Sequence, residues 1–391
     1  MYCDELKKVI GMTVSHGAQF DSVLEPIGVF LREEILPRAA GIDQEGLYPR
    51  ENLRKLLAPG IPSLPFPKEI GGQGLPYPVY IAALEMLATA CANTALQVSI
   101  QGMVCEGILH HGNHYQKALF LEQNGLVQGS SLAAFALTEP CCGSDAQAIE
   151  TRAAPSAGYY SITGVKTLIT SPGEADFILL FARTGAGISV FIVPRNASGF
   201  RVQRVLPKLG FKGHRLSEIH FENCRVAADY LVGEDGKGLE YAKHMLNSGR
   251  ISIAAIAVGI ARAAYEKSLA YSRKRSAFGK KIGDFQLVQQ KLADMYTEIS
   301  AARLLTFFAA GLKDRGESVI SEASRAKLFA SEMALRVCDQ AIQIHGGYGY
   351  TDEYDVHRHW RDARLLTIGE GTSDMLRLLI ARQALKRSGG I

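Results

Sequence analysis

Four short segments of this 391-residue chain carry residues whose types and spacing suit chemistry. In Arg361-Asp-Ala-Arg-Leu-Leu-Thr-Ile-Gly-Glu-Gly-Thr-Ser-Asp374, a lone carboxylate, Glu370, stands between Gly369 and Gly371 after the apolar run Leu365 to Ile368. The two glycines give it no side-chain cover, so it can face a cavity. Thr372 or Ser373 is placed to cap a helix starting there, which would set the carboxylate near backbone donors at a helix N-terminus. Taken alone, the segment is first of all a loop-to-helix cap.

The segment Phe135-Ala-Leu-Thr-Glu-Pro-Cys-Cys-Gly-Ser-Asp145 leaves a strand and turns through Pro, Gly and Ser, exposing N–H groups and hydroxyls on one side as a planar heteroaromatic ring would require. An ordinary strand-to-loop junction has the same composition. Lys166-Thr-Leu-Ile-Thr-Ser-Pro-Gly173 ends a strand with the hydroxyls Thr170 and Ser171 before a Pro-Gly break, and alone reads as an edge strand. Arg273 to Lys281 sets five cations around Phe278 and Gly279, a pattern that suits a pyrophosphate and equally a solvated basic helix end.

His110, His111 and His114, and His357 with His359, lack a Cys or carboxylate at recognised ligand spacing, so surface or packing roles and no metal are expected. The seven cysteines, odd in number, form no CxxC pair, so neither a disulfide framework nor a zinc site is suggested and a reducing compartment is expected. Cys141-Cys142 reads as loop filling or as a neighbour of a cofactor.

These segments need elements to hold them. Up to about Gly129 the pattern is helical (Phe20 to Pro37, Val79 to Thr94), with a long Pro/Gly loop from Pro62 to Gly74. From about Ser131 to Gly233 short β-branched and aromatic runs follow: Tyr159 to Ile162, Phe177 to Phe181, Ile188 to Val193 and Glu218 to Phe221. From about Gly238 long helices return. Ala326, Ala330, Met333, Val337, Ala341 and Ile344 mark one face of a helix that Gly346-Gly347 stops. Ile251 to Tyr265 is apolar all round, which implies a bundle centre or a subunit interface. The expected domains are 1–130 (helical), 131–237 (β) and 238–391 (helical), an α+β chain. A net charge of +4 gives no nucleic-acid footprint, Met1 to Lys8 resembles no signal or transit peptide, Ser388 to Ile391 is no peroxisomal address, and no apolar run would span a bilayer. A cytoplasmic protein without membrane or nucleic-acid partners is expected.

In this order and at these separations the segments resemble the acyl-CoA dehydrogenase family from about residue 20 to 386. The resemblance implies an N-terminal helical domain, a central antiparallel β-domain and a C-terminal four-helix bundle, assembled as a homotetramer or dimer around FAD. Carried over by position, Phe135, Leu137, Thr138, Gly143 and Ser144 would line the flavin with Leu168 and Thr170, Thr170 lying near N5. Arg275, Phe278 and Gln286 would hold the pyrophosphate and adenine side, joined by Gln343, Gly346 and Gly347 of the neighbouring subunit. Thr372, Ser373 and Asp374 would complete the cofactor contacts. Ser144, Asn247, Arg250 and Gly371 would meet the acyl-CoA, Asn247 to Arg250 matching a CoA-binding turn.

The resemblance also places the catalytic glutamate either in the Glu-Gly-Thr segment or just before the CoA-site arginine. The second position here is Gly249, which leaves Glu370 as the base. It would take the α-proton while a β-hydride goes to flavin N5, giving the trans-2-enoyl-CoA in fatty or branched-chain acyl metabolism. The Glu370 N–H and a ribityl hydroxyl would hold the thioester oxygen, and burial should raise the carboxylate's proton affinity. An electron-transferring flavoprotein is the expected acceptor. Leu168 in place of an aromatic, Gly369 in place of Tyr, Asp374 in place of Gln and Asn247 in place of Asp depart from the family pattern. They keep open an oxidase or monooxygenase, an acyl-carrier-protein substrate, or a flavin-bound assembly protein without turnover.

Overall fold

The computed structural model describes residues 21–387; the expectations for Met1 to Lys8, Cys3, Phe20 and Ser388 to Ile391 lie outside the described residues. Helix α1 (Asp21–Phe30) runs through a π-helical turn (Leu31–Ile35) and a 3-10 turn (Leu36–Arg38) into α2 (Ala39–Glu45). Pro37 therefore does not end the helical course, because it enters at the start of a new turn, where its missing N–H has no helical partner to lose. After α3 (Arg50–Lys55), 3-10 turns at Ile61–Ser63 and Lys68–Ile70 punctuate the Pro/Gly stretch. The segment read as one helix from Val79 to Thr94 is two, α4 (Tyr77–Ala90) and α5 (Ala92–His111), divided by the extended backbone of Cys91.

The β-domain is one eight-stranded sheet: β1 (Ala133–Ala136), β2 (Arg152–Ser156), β3 (Tyr159–Thr170), β4 (Phe177–Arg183), β5 (Ile188–Pro194), β6 (Phe200–Val205), β7 (Leu216–Ala227) and β8 (Leu231–Val232). The order is β6-β7-β3-β2-β4-β5-β8, with β1 beside β4. Most neighbours are antiparallel; β1 and β2 meet β4 in parallel. Alternate residues of β4 face opposite ways: Leu179 and Phe181 pack toward α5, while Ile178, Leu180 and Ala182 join the sheet's other core. β3 is not an edge strand, since it pairs with both β2 and β7.

The C-terminal region holds α6 (Gly238–Lys274), a short hairpin β9 (Ser276–Ala277) and β10 (Lys280–Lys281), α7 (Gln286–Asp314), α8 (Ile320–His345), α9 (Val356–Leu366) and α10 (Ser373–Arg387). Helices α6, α7 and α8 pack on one another, α9 lies against α6 and α8, and α10 lies against α8. Every residue from Ile251 to Ala261 is buried within the chain, so the all-apolar stretch is a bundle centre. Gly259 allows α4 to cross closely, because a β-carbon there would lie 2.4 Å from Glu85 O. Arg303 of α7 donates to Glu85 of α4 at 2.9 Å, an ion pair buried between the first and last helical regions.

The sheet is pinned to both helical regions by one loop. Gly213 N–H donates to Asn93 Oδ1 at 3.0 Å, His214 Nε2 lies 2.7 Å from Asn93 O, and the Phe211 N–H donates to Asp362 of α9. The Asp362 carboxyl is buried there and pushed up to about 7.

Candidate active site

Glu370 occupies the short connection between α9 and α10. The Ile368 and Gly369 N–H groups both return to Leu365 O at 2.9 Å, closing the end of α9, and Glu370 then takes a left-handed backbone with φ 55°. Gly371 continues at φ 101°, a conformation that other residues rarely adopt. Thr372 Oγ1 accepts from the Met375 N–H at 3.3 Å and so caps α10. Among the described residues six non-glycine residues have positive φ, and Leu168, Ser171, Phe278 and Glu370 fall in the segments singled out by residue type. Such strain concentrates where a side chain must be aimed.

The expected approach of the Glu370 carboxylate to backbone donors at the α10 N-terminus does not occur. Oε2 is buried without a hydrogen-bond partner and faces Gly249 of α6, whose β-carbon position lies 2.2 Å away and 3.0 Å from Met103 Sδ. The left-handed backbone turns the side chain away from its own helix. The residue as a whole is half-buried while its carboxylate is enclosed. Burial drives the carboxyl up to about 7, against the opposing pull of Lys327 and Arg250.

Lys327 escaped the sequence reading. It lies on α8 beside the apolar face, is fully buried, and donates from Nζ to Gly371 O at 2.6 Å. Burial lowers its ammonium to about 8, partly offset by Glu370. A lysine adjacent to an otherwise buried helical stripe was the available signal. Arg250 Nε lies 3.5 Å from Glu370 O, and Nη1 donates to Asn247 Oδ1 at 3.0 Å. Asn247 to Arg250 form no turn; they are helical residues inside α6, which runs without a break through Gly249.

The segment Phe135 to Asp145 forms a wall fixed to β3. Lys166 Nζ donates to Leu137 O at 2.9 Å and to Glu139 Oε1 at 2.6 Å, and the Thr167 N–H donates to Thr138 O at 2.9 Å. Glu139 also accepts from the N–H groups of Glu150 and Thr151, which closes the turn holding Cys141 through Asp145. Leu137 is buried, Phe135 and Thr138 are half-buried, and Gly143 and Ser144 are exposed. Cys142 is buried and Cys141 exposed, both free thiols. A register shift between Lys166 and Ile169 pushes Leu168 out, with 53% of its surface exposed. Thr170 is half-buried, whereas Ser171 is committed to His214 Nδ1 at 3.1 Å and to the Arg215 N–H.

Arg275, Gly346 and Gly347 line one cavity of ≈ 440 Å³ with Tyr271, His345 and Tyr348. Both glycines have open space where a β-carbon would stand. The expectation put Arg275 and the glycine pair on opposite sides of a subunit boundary; in this chain the ends of α6 and α8 bring them together. Phe278, Gln286 and Gln343 are exposed, Phe278 at 96%. At ~1.5 Å of rise per residue, Arg250 and Arg275 stand roughly 37 Å apart along α6. Glu370 and the Arg275 cavity thus belong to separate half-sites of one chain.

The donor set fits FAD. A guanidinium and an open glycine pair suit a pyrophosphate. The exposed Leu168 and half-buried Thr170 beside the Phe135 to Ser144 wall suit a flavin ring, and Ser373 Oγ is buried without a partner in the adjoining loop. Asp374 is 94% exposed and 3.8 Å from Arg377, so in this chain it faces outward. His357 and His359 lie in or against α9, His359 buried, with no third ligand group among the described residues. His110 does have a carboxylate neighbour, Glu106 one helical turn before it, together with His244 of α6.

Comparison with known proteins follows the helix–sheet–helix order of the chain. The N-terminal, middle and C-terminal domains of acyl-CoA dehydrogenases match residues 21–125, 134–224 and 236–385. A probable acyl-CoA dehydrogenase of Bacillus subtilis is 43% identical over 371 residues, 93% of this chain and 97% of that protein. Butyryl-CoA dehydrogenase from Megasphaera elsdenii has a TM-score of 0.91 at 36% identity, covering 94% of this chain and 98% of that one. A glutaryl-CoA dehydrogenase from Mycobacterium smegmatis, in complex with FADH2, has a TM-score of 0.90 at 27% identity, with 96% of each chain covered.

Proposed function

The chain belongs to the acyl-CoA dehydrogenase family of flavoprotein oxidoreductases, and from that premise we propose that Glu370 is the general base in the α,β-dehydrogenation of a short acyl-CoA thioester to its trans-2-enoyl-CoA. The observation that carries this reading is the enclosed, unpartnered Glu370 Oε2, with its carboxyl pushed up to about 7. A base near neutrality takes a proton efficiently and returns it to water readily. The missing β-carbon of Gly249 lets the carboxylate lie against α6, and Lys327, through Gly371 O, fixes the loop that aims it.

Glu370 would take the α-proton, and FAD would supply an acceptor for the hydride of the β-carbon. Phe135, Leu137, Thr138, Gly143, Ser144, Leu168, Thr170, Thr372 and Ser373 would hold its flavin half, and Arg275, Phe278, Gln286, Gln343, Gly346 and Gly347 its pyrophosphate and adenine half. Ser144, Asn247, Arg250 and Gly371 would orient the thioester. The roughly 37 Å between Arg250 and Arg275 along α6 supports a cofactor shared between two copies, and hence a homotetramer or dimer. The division at 130 and 237, a cytoplasmic location and an electron-transferring flavoprotein as acceptor belong to the same reading.

Anaerobic titration of the yellow protein with short acyl-CoAs tests it. Bleaching of the flavin absorbance with release of the enoyl-CoA is the expected result; a flavin that no acyl-CoA bleaches would identify a binding protein. The exposure of Leu168 favours one second reading, an oxidase, which rapid reoxidation of the bleached flavin by air would reveal.

A further inference from the structure

Beside Glu370 lies a cavity of ≈ 190 Å³ whose inner end is Met103 and Ser248, the neighbours of Gly249. A cavity of ~150 Å³ accepts benzene, so this one holds about six to eight heavy atoms. Its far wall is charged. Glu106 of α5 pairs with Lys313 of α7 and accepts from Ser248 Oγ at 2.8 Å. Tyr77 donates from its hydroxyl to Ser248 O at 3.3 Å, and Lys313 Nζ stands 4.8 Å over the Tyr77 ring. Burial first, and then the charges of Glu106 and Glu370, raise the proton affinity of Tyr77 and Tyr80, which line the cavity.

Resting on the reading of Glu370 as base, we infer that this cavity selects a short acyl group ending in an uncharged hydrogen-bonding group, such as a hydroxyl, held by Glu106, Lys313 and the hydroxyls of Tyr77 and Ser252. A plain hydrocarbon tail would strip water from Glu106 and Lys313 without replacing its hydrogen bonds. A charged tail would enter with no counter-ion of its own. Glu106 and Lys313 cancel one another, burial keeps His110 and His244 toward their neutral forms, and Asp314 is exposed and already accepts from the Tyr77 N–H at 2.6 Å. Glu106, His110 and His244 have ligand atoms within 4.8 Å of one another, but Glu106 is already paired with the Lys313 ammonium.

The test compares kcat/KM of the holoenzyme for acyl-CoAs of four, five and six carbons, each ending in methyl, hydroxyl, ammonium or carboxylate. The hydroxy-terminated member of at least one length should exceed its methyl counterpart by ~10-fold or more, as expected of a site built around hydrogen bonds. Glu106→Leu combined with Lys313→Met removes both charges together and should invert that ratio. Should that variant not fold, the wild-type ratio decides. Equal or better turnover of the methyl series, or a preference for a charged end, overturns the specificity while leaving Glu370 as base. Absence of turnover with every compound removes both.

Discussion

A β-carbon on Gly249 would lie 2.2 Å from Glu370 Oε2 and 3.0 Å from Met103 Sδ, so α6 meets the α9–α10 connection where only a hydrogen atom fits. Gly249→Ala must therefore displace the carboxylate. Since a misplacement of ~1 Å can cost ~10²-fold in rate, kcat should fall by about that factor while FAD content and melting temperature stay close to wild type. Steady-state kinetics with a flavin spectrum checks it.

Glu370 must be ionised to accept a proton, and its carboxyl sits at about 7, so kcat/KM should rise with pH with a midpoint near neutrality. Lys327 lowers that value by its charge. Lys327→Met should shift the rising limb to higher pH, and a pH profile of the variant that coincides with wild type would show that Lys327 only packs.

The same burial carries a stability cost. The Glu370 carboxyl ordinarily titrates near 4.5 and in the fold near 7, so the folded state binds more protons between those values and loses stability as pH rises through them. Above pH 7 the penalty is complete, on the order of 3 kcal/mol at most. Glu370→Gln should therefore raise the melting temperature of the apoprotein at pH 8 and change it little near pH 4.

The buried Glu85–Arg303 pair ties the first helical region to the last. Glu85→Leu alone should destabilise by ~3–5 kcal/mol, because it removes one partner of a buried ion pair. Adding Arg303→Met should restore much of that loss, measurable by denaturant unfolding.

The helix–sheet–helix order was legible because periodicity reports burial: the Ala326 to Ile344 stripe and the alternating Glu218 to Phe221 of β7 both face cores. The split at Cys91 and the interior place of β3 depend on partners distant in sequence, which local pattern does not carry. Glu370 was legible from its flanking glycines, but its orientation was not, since that follows from a left-handed backbone and from Gly249, 121 positions earlier. Lys327 and the Glu106–Lys313 pair were missed for a related reason. A charged residue on an amphipathic helix looks solvated until the opposing helix is known.

Stopped-flow reduction of bound FAD by a short acyl-CoA without oxygen, comparing wild type with Glu370→Gln, tests the base assignment most directly. The variant should bind FAD and substrate normally and reduce the flavin ~10²–10⁴-fold more slowly. Flavin reduction in the variant within a few-fold of wild type would contradict it.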